Sequence, residues 1–437
     1  MLHVLEQAQE AAQQGNWSLL NRYLQQALLS DQAGQAFETL GVDSLLSMAL
    51  TVLESGDFQD RWEVAKVFPI FGEAAIAPLI DLLQDDEADL ETRWFAARIL
   101  GEFKHPAIIQ TLIEVLQESK DEDLSAMAAA ALASLGTPAI AALTNLLATD
   151  ETRLLAVRSL AQVRHSATIE PLLGVIDDPD LTIRAMAIEA LGSFHDPRVP
   201  PALLKALTDT AATVRMAAIE GLGVRSDLAA SLDLVNCLSD RLWDLNQQVC
   251  QQAAISLGRL GTDAAAQALF RALISPQTPL PLQVEVVRAL GWTETTVALE
   301  YLQQALSLPE RSELESIVVQ EIATILGRWQ NSNLKPRAAQ ILIDALNSGH
   351  PAVSCSAVKQ AIALSLGQLK QSQAFESLVQ LLADEDMGVR LHAVAALKAL
   401  DSQSFRQRLE VLATQTDLPE TLKQTVAIAL QEWRIED

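Results

Sequence analysis

Three cysteines in 437 residues, Cys237, Cys250 and Cys355, are too few and too scattered for a disulfide framework, and they form no CxxC pair or zinc spacing. An odd, sparse count suits a reducing compartment. Aromatics are scarce too, at 4%, against 49% apolar residues. The core is therefore built of alanine and leucine, whose modest size lets helices pack closely. Positive charge is in deficit: 31 Lys and Arg stand against 56 Asp and Glu, a net charge of −25. That balance argues against non-specific nucleic-acid binding and against anionic membranes. The acid itself has two readings, a solvated surface that keeps the chain soluble or a face for a basic partner. About −15 of the −25 lies in residues 1–160. No segment sustains strand alternation between hairpin turns. No strongly apolar run of about 18 residues stands out, so no membrane span is expected. The opening MLHVLEQAQEAAQQ lacks the basic-then-apolar order of an export signal, and a cytoplasmic location is expected. HExxH, a Walker loop, GxGxxG and GxSxG are all missing.

What the chain does contain is one helix written many times. Asp89 to Pro106, DLETRWFAARILGEFKHP, is the clearest copy. Asp89 suits an N-cap, because its carboxylate accepts from the free N–H groups of the first turn. Ala96, Ala97, Leu100 and Phe103 follow at the spacing of one buried helix face. Gly101 weakens the last turn and Pro106 forbids continuation. DFQDRWEVAKVFPIFG from Asp57, DLTIRAMAIEALGSFHDP from Asp180 and DEDMGVRLHAVAALKAL around Asp386 repeat the pattern. Aligned on the residue after the leucine, or its equivalent, of this second helix, helix B, the copies form one column. It runs Pro69, Gly101, Ala133, Ala161, Gly192, Gly223, Gly258, Gly291, Gly327, Gly367, Lys398 and Gln431, with spacings of 28 to 40 residues. Each unit holds a helix A, such as PAIIQTLIEVLQ at 106–117, an acidic turn, and a helix B. The expected fold is all-α, an α-solenoid of about twelve short units over 57–437. Residues 1–56 differ. They read as four helices (2–14, 17–29, 31–40 and 43–54) that form an N-terminal cap, since an open repeat end would expose its apolar face.

Eight places before the column lies a second regularity: Arg61, Arg93, Ser125, Arg153, Arg184, Arg215, Cys250, Gln283, Val319, Lys359, Arg390 and Lys423. Twelve before it, Asp57, Asp89, Asp121, Asp180 and Asp386 recur. The Asp caps helix B, and the Arg of one unit reaches the Asp of its neighbour. This ladder reads as a structural device. It breaks between Cys250 and Val319, where the stack is expected to be less regular.

These residues carry a resemblance. The Asp–Arg ladder, VRMAAIEGLG at 214–223 and LGSFHDPRVPPALLKAL at 191–207 resemble HEAT repeats of the short kind found in phycobilisome-lyase-like proteins. RWFAARILGEF at 93–103 is similar to the aromatic helix of the larger bilin-lyase subunits. TPLHxA and the Trp-Leu-Gly-Tyr pattern are absent, which sets aside ankyrin and tetratricopeptide arrays. The resemblance implies a superhelical stack with helix B lining its concave side. It also implies three candidate roles: a protein-binding scaffold, a bilin lyase or lyase subunit that loads a phycobilin onto a phycobiliprotein cysteine, or a factor in phycobilisome disassembly.

Candidate contacts sit seven and three places before the column, opposite the Ala/Leu core. There the chain places Trp62 with Lys66, Trp94 with Arg98, and Leu154 with Arg158; Met216 follows, and then the amides Gln251, Gln320, Gln360 and Gln424. Contiguous exposed apolar side chains mark binding sites, and Trp and Arg are common anchors. Two alternatives stand beside this one: the 1–56 cap covers Trp62 and Trp94, or Trp94 and Arg98 stack on each other within one helix. A partner protein in this groove is expected, with no cofactor unless a phycobilin is held, and with no metal. None of the six histidines precedes a glutamate, so the His-Glu metal pairs of HEAT-type hydroxylases are missing. His105, His165 and His195 fall near equivalent turns and read as turn or cap residues. The acidic turn DDEADLE at 85–91 lacks EF-hand spacing and reads as a capping turn. Cys250, at a helix start, is either a lowered-pKa thiol or a small residue filling a broken ladder.

Overall fold

The computed structural model describes residues 2–30, 33–307, 315–400, 403–414 and 419–433. All regular secondary structure among the described residues is helical, with no strand. The chain is an all-α array of helix pairs that divides into two compact units, Met1–Ala202 and Leu203–Asp437.

The first unit begins with α1 (Leu2–Gln13), α2 (Trp17–Leu28), α3 (Ala33–Leu40) and α4 (Val42–Ser55). These are the four helices expected, each within two residues; residues 31 and 32 of the third lie outside the described residues. They are not a body apart. Asn21 on α2 is buried and donates from Nδ2 to the carbonyl of Asp60 at 3.1 Å. Gln25 reaches the Glu63 carbonyl at 2.9 Å. The stack continues with α5 (Phe58–Val64), α6 (Phe68–Phe71), α7 (Ile76–Gln84), α8 (Leu90–Leu100), α9 (Pro106–Glu118), α10 (Glu122–Leu135), α11 (Thr137–Leu146), α12 (Asp150–Gln162), α13 (Ile169–Leu173) and α14 (Leu181–Gly192). A short α15 (Val199–Ala206) spans the division. The second unit holds α16 (Ala212–Gly223), α17 (Leu234–Ser239), α18 (Gln247–Leu260), α19 (Asp263–Ile274), α20 (Leu280–Thr293), α21 (Thr296–Ser307) and α22 (Ser316–Gly327). It closes with α23 (Lys335–Asn347), α24 (Ser356–Leu369), α25 (Phe375–Leu381), α26 (Met387–Ala399), α27 (Gln403–Ala413) and α28 (Glu420–Trp433).

Caps start these helices where the sequence puts them. Asp57, Asp89, Asp121, Asp180 and Asp386 each accept a backbone N–H two or three residues on, from Asp60, Thr92, Leu124, Thr182 and Val389. Asn246 does the same for α18. Histidines cap two helix-A segments, after His105 and His165, and the 3-10 turn between α23 and α24, after His350. The Nδ1 atoms of His105, His165 and His350 accept from the N–H of Ala107, Ala167 and Ala352 at 3.1–3.2 Å. His195 leaves that work to Asp196, whose carboxylate takes the Arg198 N–H and its guanidinium. Those donors hold the Asp196 carboxyl down at about 2.

The B helices α8, α10, α12 and α14 pack one on the next, as do α16, α18, α20, α22, α24 and α26, and they pack more closely than the A helices do. The column glycines explain how. A Cβ on Gly101 would come 2.9 Å from Ala131 Cα, one on Gly258 2.8 Å from the Ala289 carbonyl oxygen, and one on Gly367 2.8 Å from Ala396 Cα. Gly101 is thus a contact residue as well as a helix end.

Two expectations are corrected. Among the described residues the helices of the middle are not less regular: α18, α20 and α22 are unbroken helices of 14, 14 and 12 residues, and α19 and α21 run 12 residues each. Packing by glycine and alanine, rather than the arginine ladder, sets the order there. Second, the segment Phe58–Gln84 is long and apolar enough in composition to cross a bilayer. It is interrupted by 3-10 turns at Ala65–Val67 and Gly72–Ala75, and Arg61, Glu63 and Lys66 lie along it.

Candidate functional site

The seven candidate contacts fall in different units. Met216 lies half-buried on α16 of the second unit; the other six belong to the first. There α5 and α8 bring Trp62, Trp94 and Arg98 together. Trp62 is 37% exposed and Phe58 55% exposed, and their rings stack at 6.2 Å. Both rest against the buried Phe95 ring, Phe58 at 5.4 Å and Trp62 edge-on at 6.4 Å. Trp94 meets Phe95 edge-on at 5.1 Å. The Arg98 guanidinium lies over the Trp62 ring, Cζ 4.1 Å from its centroid. The cation–π pair therefore joins two successive repeats and is not the intrahelical Trp94–Arg98 stack. Arg98 makes no hydrogen bond or ion pair among the described residues. Trp62 stays partly exposed and Trp94 is half-buried, while α2 packs on the α5 backbone at Asp60 and Glu63.

Lys66 is held by Glu63 at 2.7 Å, an exposed i,i+3 pair. That lysine, first in order, and Gln25 hold the Glu63 carboxyl below its usual range. Leu154 is 38% exposed on α12, and Arg158 beside it is exposed with no acceptor among the described residues.

Sequence reasoning missed exposed apolar residues beside the caps. Phe58, Leu90, Leu181 and Met387 are 50–65% exposed, and each directly follows a capping Asp. The recurring Asp-apolar pair was the available signal. The amide-rich expectation for the C-terminal half is also incomplete. Gln360 is occupied by Asp386 at 3.1 Å, while Leu364, Leu391 and Ile428 stand exposed on α24, α26 and α28.

The ladder positions do structural work by a different pairing from the one expected. Arg61 does reach the cap Asp89, at 2.9 Å, and also Glu91 and the Glu54 carbonyl. Burial alone would raise the Asp89 carboxyl, but Arg61 and the Thr92 N–H and hydroxyl outweigh it and hold it low. Further along, the acceptors are Asp178 for Arg153 at 3.3 Å, Asp244 for Arg215 at 2.7 Å and Asp384 for Lys359 at 2.6 Å. Asp178 and Asp384 sit two residues before the cap aspartates Asp180 and Asp386. Asp244 sits two before the cap Asn246. Arg184 donates to the carbonyls of Asp178 and Pro179, and Arg390 to those of Asp384 and Glu385. Arg93 instead takes the Leu83 carbonyl and Asp86. Cys250 donates its thiol to the Asp244 carbonyl at 3.1 Å, as the arginines do in their turns. Burial pushes this thiol up, so it is not an activated nucleophile. Among the described residues no group of three His, Cys, Asp or Glu side chains converges to hold a metal ion.

A family model of HEAT repeats matches residues 76–154, 148–223 and 354–431, together just over half of the chain. Among solved structures, Kap121p bound to Ste12p is 14% identical and superposes with a TM-score of 0.57 over 89% of this chain and 48% of that one. Importin beta is 13% identical, with a TM-score of 0.50 over 98% of this chain and 64% of that one. This chain thus spans about half to two thirds of either neighbour, and the likeness is one of fold. The complex of CpcE and CpcF of phycocyanin lyase from Nostoc is 22% identical over 53% of this chain and 94% of that one; its TM-score of 0.31 carries no argument. No curated protein matches.

Proposed function

This chain belongs to the HEAT-repeat family, and from that premise we propose that it is a non-catalytic scaffold, assembly factor or chaperone that binds another protein on the B-helix face of its N-terminal unit. The observation that supports this most is the cluster of Phe58, Trp62, Trp94 and Arg98. It sets exposed aromatic area and an acceptor-free guanidinium into 160 residues that hold 24 acidic side chains and only nine basic ones. Burying each anchor contributes roughly 1.5–3 kcal/mol. A phycobiliprotein is one candidate partner.

The test is a tagged purification from native lysate, followed by affinity measurement with the recovered protein. Trp94→Ala and Arg98→Glu each weaken binding about thirtyfold, a hot-spot loss of roughly 2 kcal/mol, while the far-UV circular dichroism stays helical. Unchanged affinity in both variants places the site elsewhere. A visible absorbance band in the complex, with bilin on this chain or its partner, would replace the scaffold with the lyase.

A further inference from the structure

The N-terminal face has relief. On α10, which packs between α8 and α12, the side facing away from the core holds the half-buried Ala126, Met127 and Ala130 and the exposed Ser134. The matching positions on α8 are Trp94 and Arg98, and on α12 Leu154 and Arg158. Packed helices lie about 8–10 Å apart, so the two walls stand roughly 16–20 Å apart, axis to axis. An α-helix with side chains is about 10–12 Å wide, and alanine lets it approach closely.

The charges around this recess have a direction. At the N-terminal end of α10, Glu122 and Asp123 are exposed, with Glu151 on α12; the nearby Glu91 and Asp150 are already paired with Arg61 and Arg153. At the other end stands Arg158 on α12, with Arg98 on α8 leaning over the Trp62 ring of α5. Neither has a hydrogen-bond acceptor among the described residues, in a chain whose ladder arginines are satisfied by carboxylates and carbonyls. An occupant complementary to both ends is basic at the first and acidic at the second. A helix laid antiparallel to α10 meets this with acids in its own first turn and bases in its last. That is also the arrangement its macrodipole favours.

We propose that the recess over α10 takes an amphipathic α-helix of a partner protein, antiparallel to α10, with acidic residues in its first turn and basic residues in its last. This rests on the reading of the face as protein-binding and names the partner's chemistry. An extended acidic segment would use the same arginines without needing the recess.

The experiment selects binders from a displayed library of random 16-residue peptides against the full-length chain. Fluorescence anisotropy then compares wild type with Trp94→Ala, the pair Arg98→Glu and Arg158→Glu, Ala130→Trp, and Ser134→Trp. Ser134 is exposed, so its replacement fills the recess without touching the core. Expected are peptides with apolar residues at i, i+3, i+4 and i+7 and acidic first turns, which gain helical circular dichroism on binding. They lose at least tenfold affinity to the double charge reversal and to either tryptophan that fills the recess. Binders that need Trp94 and the arginines but tolerate both filled recesses overturn the helix and keep the protein-binding face. Binders indifferent to all these variants, or a library that yields none, overturn both.

Discussion

Replacing Gly258 by alanine tests the account of how the stack closes. Gly258 lies in the last turn of α18 against α20. A Cβ there would stand 2.8 Å from the Ala289 carbonyl oxygen, 3.0 Å from its Cα and 3.1 Å from its Cβ. None of these atoms has a rotamer to move through, so relief requires the two helices to part. Alanine in place of glycine in an unobstructed helix gains about 0.5–1 kcal/mol. Overpacking a fitted contact costs about 1–3 kcal/mol. The balance is a loss of roughly 1 kcal/mol, opposite in sign to the propensity effect. Gly34, in α3 with nothing within 4 Å of its Cβ position, supplies the control and gains stability with alanine. Urea unfolding followed by circular dichroism compares the midpoints. If Gly258→Ala moves the midpoint upward as Gly34→Ala does, the close-contact account of the glycine column fails.

Other positions give independent checks. Arg215→Ala strands the Asp244 carboxylate, only 7% exposed, and is expected to cost about 3 kcal/mol at neutral pH. Burial alone would raise the Asp244 carboxyl, but Arg215 and the Asn246 N–H hold it below its usual range. The pair's contribution is therefore whole above the unfolded carboxylate pKa of about 4 and lost as pH falls through the lower folded value. Wild-type and variant denaturation midpoints should converge in acid, and a gap that persists there would refute the pairing. Arg184→Ala removes donors to two turn carbonyls and should lower the melting temperature while leaving partner affinity unchanged. His105→Ala should cost about 1 kcal/mol as a lost cap, and His105→Asn should recover most of it by thermal melting. Cys250, buried and with its thiol pushed up, should react with a thiol reagent at neutral pH only as fast as the chain unfolds; prompt reaction would contradict its placement.

The residue order determined what is local. Capping aspartates at Asp57, Asp89, Asp121, Asp180 and Asp386, prolines after helix ends and the Ala/Leu period place the helices, because each of those signals acts within one or two turns. A repeat touches mainly its neighbours, so the all-α array and its period were readable without coordinates. Contacts between repeats were not, because they depend on how far one helix rises and turns against the next. That geometry gave Arg98 to the Trp62 ring of the preceding repeat instead of Trp94 on its own helix. It carried Arg153, Arg215 and Lys359 past the next cap residue to carboxylates two residues earlier. It also turned the column glycines from helix ends into points of contact. Exposure was decided there as well. Leu154, Leu364 and Leu391 have the same chemistry as the leucines of the core, and only the packing of their neighbours leaves them facing water.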